Sequence, residues 1–165
     1  MSESPTAAGP AAQVGAQVAE LAGWLSGLDP SQLNAAPAGD DWSVAETVAH
    51  VADFLTHWSD VVVAAAAHPG QPFGRSLDER DRYVLAHRGD DLAELLASLR
   101  SAGDHAQAQL ASLPPDAWAA TAVHARWGEL ALPEIVRRLL TDHLADHVEQ
   151  ARAIYARVAA STPDG

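Results

Sequence analysis

Clusters of proline and glycine cut the chain into long segments rich in Ala and Leu, and none of these segments alternates β-branched with polar residues as a half-buried strand does. Such a chain builds its core by packing helices on one another. The first segment, about Ala12 to Leu28, carries Val14, Val18, Leu21 and Leu25 at helical spacing and stops at Asp29-Pro30. The second opens at Ser43, where Glu46 three residues on completes a capping box, and runs to Ala67 before His68-Pro69-Gly70. A third region holds a short piece, Ser76 to His87, and then a helix from Asp90 or Asp91 to Leu113, closed by Pro114-Pro115. The fourth starts near Leu132 with Pro133 in its first turn, where a missing amide costs nothing, and reaches about Ala159. Leu28-Asp29-Pro30-Ser31-Gln32-Leu33 echoes Leu113-Pro114-Pro115-Asp116-Ala117-Trp118, each ahead of a Trp-bearing loop and a long helix. The pattern predicts an all-α four-helix bundle in which helices one and two are loosely repeated as three and four, with long connections that let the halves pair. Residues 1–11 read as a disordered N-terminal tail, 12–160 as the bundle and 161–165 as a C-terminal tail.

Charge and missing residue types narrow the chemistry. The 165 residues carry a formal charge of −12, and all ten basic residues are Arg. A surface this negative is a poor partner for nucleic acid or an anionic membrane. Without Cys there is no disulfide, thiolate nucleophile or Cys-ligated zinc, and without Lys there is no internal Schiff base or phosphate-loop lysine. Thiol chemistry would have to arrive on a small molecule. No signal sequence or apolar run of spanning length is visible, which predicts a cytoplasmic protein with no membrane partner.

Eight histidines are more than a solvated surface needs. At about 100° per residue, the apolar positions Leu132, Val136, Leu139, Leu140, Ile154 and Val158 of the fourth segment form one stripe, with His143 and His147 in its middle. Four residues apart, the two rings stack on one face, the spacing with which a helix offers a metal two ligands. On the second segment Val44, Val48, Val51, Leu55 and Val62 form the stripe, and His50 sits about 100° to one side, at the shoulder of the core. A ligand from a neighbouring helix is what a three-His site requires, with positions left for water or substrate. Two readings stand for the pair: core residues bonded to Asp or backbone carbonyls, or ligands of one divalent ion that satisfies both. Since ligation needs neutral imidazole, acid should release the metal through the ordinary His range.

The surrounding residues also divide. Glu46 is explained by its cap but is also one turn from His50; Asp142, Asp146 and Glu149 lie on polar angles, with Asp146 the best candidate to orient a ring; Gln150 lines the pocket or edges the core. His57, His68, His87, His105 and His124 lack a partner at ligand spacing and read as mostly exposed. Trp42 and Trp127 stand in loops where a pocket rim could lie. Arg75, Arg80 and Arg82 are candidates for binding an anionic substrate, while Arg137 and Arg138 point away from the His stripe.

Trp42-Ser43-Val44-Ala45-Glu46-Thr47-Val48-Ala49-His50, followed by His143-Leu144-Ala145-Asp146-His147-Val148-Glu149-Gln150, resembles the W-S-x-x-E-x-x-x-H and H-x-x-x-H-x-x-Q segments of the DinB-like/YfiT-like superfamily. The resemblance implies a four-helix bundle in which His50, His143 and His147 coordinate one divalent metal, zinc or nickel, with an open position facing a pocket. The Lys-free, Trp- and Arg-bearing style is similar to the branch holding the N-terminal domain of mycothiol-dependent maleylpyruvate isomerases. It implies a thiol transferase or isomerase that uses a low-molecular-weight thiol, such as mycothiol, as cosubstrate against an electrophile, and it admits a homodimer. A non-catalytic metal-binding stress-response protein and a metal-assisted hydrolase are the alternatives, and no catalytic residue is named by the sequence.

Overall fold

The computed structural model describes residues 8–37 and 42–161. Its long helices are α1 (Ala8–Leu25), α2 (Val44–Ala67), α4 (Leu92–Ala111) and α6 (Asp142–Ser161), with two short ones, α3 (Leu77–Ala86) and α5 (Leu132–Val136). The expected four-helix bundle is present. α1 packs on α4 and α6, and α2 packs on the same two helices. Helices that follow one another in the long-helix order, α1 with α2 and α4 with α6, therefore sit on diagonals, as long connections permit. The α1/α4 pair runs antiparallel and close: a Cβ on Gly103 would lie 2.8 Å from Val18 Cγ1. Among the described residues no helix is long and apolar enough to cross a membrane.

The cap of α2 is where the sequence placed it, and two further boxes start α3 and α4. Ser43 Oγ accepts from the Glu46 amide and Glu46 returns a carboxylate to the Ser43 amide, closing the capping box of α2. Ser76 with Glu79 and Asp91 with Glu94 do the same for α3 and α4. Both echoed segments form 3-10 turns, Pro30–Gln32 and Pro115–Ala119, and their matched apolar residues Leu33 and Trp118 are both buried. At the N-terminus α1 begins at Ala8, so Ala8 to Ala11 belong to the helix instead of the expected tail. Pro10 is tolerated there because the first-turn amides have no intrahelical acceptor, and Ala11 is buried in the core. Residues 1–7 and 162–165 of the two expected tails lie outside the described residues.

Two features were not anticipated. The connections contain a three-stranded sheet, β1 (Pro72–Phe73), β2 (Thr121–His124) and β3 (Gly128–Ala131), with β1 parallel and β3 antiparallel to β2. Runs of two to four residues carry too little alternation to be seen as strands. The sheet ties the α2–α3 connection to the α4–α5 connection, helped by Gly70, whose φ of 79° reverses the chain after α2 and lets its amide donate to Thr121 O at 2.7 Å.

The second feature is a π-helical turn, Arg137–Thr141, inserted between α5 and α6 within one continuous helical rod. The Asp142 amide donates back to Arg137 O, and Gln17 Nε2 on α1 donates to Thr141 O at 3.0 Å. The wide turn holds about one residue more than an α turn, which sets everything after it back by about 100°. The buried stripe of α6 is consequently Leu144, Val148, Ala151, Ile154 and Val158, and His143 and His147 are displaced from the middle of that stripe to its edge.

Candidate metal centre

α2 runs through the middle of its neighbours, and every residue from Val44 to Leu55 is buried. His50, expected at the shoulder of the core, is therefore only 5 % exposed, because α3 and the α5–α6 rod cover the flank that a two-sided helical wheel leaves open. Polar groups this deep need partners. Thr47 donates to Ser43 O, Glu46 pairs with Arg88, and Asp53 takes both amine groups of the Arg75 guanidinium. His50 Nδ1 is the exception in this run, buried with no hydrogen-bond partner.

The π turn brings His143 and His147 to face it. Each of the three imidazoles offers a ring nitrogen, and these three atoms lie within 4.8 Å of one another. His143 Nε2 and His147 Nε2 are 2.8 Å apart, and the His50 ring centre lies 4.7 Å from that of His147. Phe54, one turn after His50, stacks on His143 with centroids 4.3 Å apart. Gln150 Oε1 accepts from His147 Nδ1 at 2.6 Å, which fixes the tautomer and leaves the Nε2 lone pair facing its neighbours. The amide of Gln150, rather than Asp146, orients this ring; Asp146 is exposed and acts on the pair only through its charge.

Burial holds all three imidazoles neutral. It pushes His50 down to about 3, with further depression from the positive charge that His147, His143, Arg80 and Arg75 would bring to bear. Burial and His147 take His143 down to about 4, and burial lowers His147. Neutral imidazole nitrogens converging on one point are the donor set a borderline divalent ion takes, and an ion would replace the proton that His143 Nε2 shares with His147 Nε2. Acid stability follows with a definite sign: the unfolded chain binds protons below about pH 6.5, the folded one only well below that. Stability of the metal-free protein is full above that value and falls as pH drops towards 4, each extra proton adding about 1.4 kcal/mol per pH unit to the slope. His57 and His124, lowered mainly by burial, contribute in the same direction. Urea midpoints measured from pH 7.5 to 5 are expected to fall less steeply in a variant with all three clustered histidines changed to Gln; parallel curves would refute the assignment.

The cluster forms the floor of a cavity of about 480 Å³. Trp42, Phe54 and Trp58 supply aromatic walls, and Arg75, Ser76, Leu77 and Arg80 from the α3 side face them. Trp42 is thus a rim residue, as its loop position suggested, whereas Trp127 stacks on His124 and lies under Arg138, away from the cavity. Arg82 donates to Asp78 O and takes no part, and Arg137 and Arg138 pair with Glu134. Of the five remaining histidines only His68 is exposed. His87 stacks on Tyr83 and bonds its carbonyl, His105 bonds Asp60, His124 accepts from the Arg126 amide, and His57 is half-buried beside Trp58. None of these joins the cluster. Sequence reasoning had no signal for Asp53, which pairs with a loop residue 22 positions away.

Fold and site together define a helical-bundle protein in which two helices from opposite halves of the chain present a convergent three-histidine cluster at the floor of an aromatic pocket. A family model, the DinB superfamily, matches residues 13–151, and the chain belongs to that superfamily. Its fold is similar to that of YfiT from Bacillus subtilis, described as a probable metal-dependent hydrolase with an unusual four-helix bundle topology; the TM-score is 0.77 and the identity 17%, over 96% of this chain and 93% of that one. It is similar also to the mycothiol-dependent maleylpyruvate isomerase, with a TM-score of 0.72 and 13% identity, over 88% of this chain and only 60% of that longer one. At such identities the likeness is one of fold. A comparison with curated protein sequences finds no match.

Proposed function

We propose that this chain is a metal-dependent thiol transferase or isomerase in which His50, His143 and His147 hold one divalent ion, zinc or nickel, and a low-molecular-weight thiol of the mycothiol kind is the nucleophile. The observation that carries the reading is a set of three imidazoles with ring nitrogens within 4.8 Å of one another, His50 among them holding a buried Nδ1 without a hydrogen-bond partner, on the floor of an accessible cavity. An ion bound there supplies Lewis acidity, lowering the pKa of a thiol or water that meets it. The chain's own residues do the rest: Gln150 keeps His147 in the ligating tautomer, Phe54 holds the plane of His143, and Trp42 and Trp58 exclude water from the reacting groups. A chain with neither Cys nor Lys has no thiol or lysine amine to serve as a nucleophile, which favours an imported thiol. The mycothiol dependence of the isomerase with a similar fold points the same way. Metal-assisted hydrolysis is the second reading, favoured by the likeness to YfiT along nearly the whole of both chains.

The two part in one assay. Zinc- or nickel-loaded protein is offered chlorodinitrobenzene with and without mycothiol, bacillithiol or glutathione, and in parallel a nitrophenyl ester without thiol. Conjugation that needs both thiol and metal, and that His147→Ala abolishes, is the expected result. Ester cleavage indifferent to thiol would replace the first reading with the second, and loss of neither substrate would overturn both.

A further inference from the structure

The pocket before the three imidazoles is lined by charged groups of one sign only. The protein carries a formal charge of −12, yet two arginines and no carboxylate line this cavity. Their circumstances differ. Arg75 is committed: both of its amine groups bond Asp53, and the two side chains are 11% and 8% exposed, so the pair is a neutral piece of wall. Arg80 is not. Its Nε and one Nη meet a single oxygen of Asp81, a side chain 57% exposed to solvent, in a pair that water screens heavily. The other Nη makes no hydrogen bond among the described residues. The Trp42 ring lies 5.4 Å from the Arg80 guanidinium carbon, holding the cation at the rim. Its charge reaches both His50 and His147, which places the cation within electrostatic range of the cluster.

We propose that Arg80 is the anchor for a carboxylate and that the pocket takes a small organic acid, whose apolar skeleton lies against Phe54, Trp58 and Leu77 while its charged end is held at the rim. A planar guanidinium suits a planar carboxylate, and a cavity wall that itself bears no Asp or Glu leaves Arg80 as the charge that meets an incoming anion. The purpose of the subsite rests on the reaction proposed above, since it would present one reactant to the cluster, but its existence does not. The carboxylate belongs either to the electrophile or to the thiol.

The test is made on full-length protein in EDTA at fixed ionic strength, following tryptophan fluorescence. Butyrate is compared with butyramide, and glutathione with its diethyl ester. The acid is expected to bind about tenfold more tightly than its neutral form. Arg80→Gln removes the preference, Arg80→Lys keeps part of it, and Asp81→Asn, which frees the guanidinium, strengthens it. A preference shown by butyrate alone assigns the subsite to the electrophile, and one shown by glutathione alone assigns it to the thiol. Equal binding of acid and neutral form, an unchanged preference in Arg80→Gln, or weaker binding in Asp81→Asn overturns the proposal. Because the titration is run without metal, loss of the metal centre leaves this result standing, and the reverse also holds.

Discussion

Alanine at His143 or His147 is expected to lower the affinity for zinc or nickel by more than about a hundredfold, so that protein purified without a histidine tag falls from about one ion per chain to near none. Each substitution leaves two imidazoles where three converge. Gln150→Ala removes only the acceptor that orients His147, and a smaller loss, about ten- to a hundredfold, is expected. Elemental analysis and competition with a chromophoric chelator measure both. The pH at which metal leaves is a second readout. Burial keeps His50 near 3 and His143 near 4, so protons compete for the nitrogens only well below the ordinary imidazole range. The sequence alone predicts release through that range; the structure moves it to lower pH, with little change in occupancy from pH 8 to 6. Full occupancy after all three histidines are changed to Ala would remove the site.

Arg75→Ala is expected to cost about 3–5 kcal/mol, a large share of the stability of a domain this size. The loss comes less from the missing attraction than from the Asp53 carboxylate left behind, 8% exposed in the most deeply covered helix of the bundle. Replacing both partners with apolar residues of similar volume, Asp53→Leu with Arg75→Met, should restore most of it. Urea denaturation of the single and double variants decides the matter: a double variant as unstable as the single would show that packing, and not a stranded charge, sets the cost. Val84 is the one buried side chain of α3, so the ion pair just ahead of that helix also helps to keep this wall of the pocket in place.

Much of this was legible from residues in order along the chain. Ser43 and Glu46 announce a helix start because the cap is a local bargain between neighbours, and His143 and His147 announce a pair because helical spacing is local too. The direction in which that pair faces was not legible. It depends on the π turn at Arg137–Thr141, and nothing in Arg-Arg-Leu-Leu-Thr marks a turn that is held open from outside by Gln17, 124 residues away. The depth of His50 was hidden for a similar reason: a wheel assumes one buried face, whereas α2 is enclosed all round along its first half. Arg75 lies in a Gly- and Pro-bearing connection where no spacing rule links it to Asp53. Local chemistry fixes caps and spacings; which surfaces meet is settled by the whole chain at once.

The diagonal placement of successive helices has a consequence for how the protein is made. His50 is translated well before the other two histidines, which lie on a helix that packs against α2 only after α4 has been made. Until that later helix docks, a chain emerging from the ribosome shows one imidazole at this place where the folded bundle shows three, so the full donor set exists only once the architecture has closed.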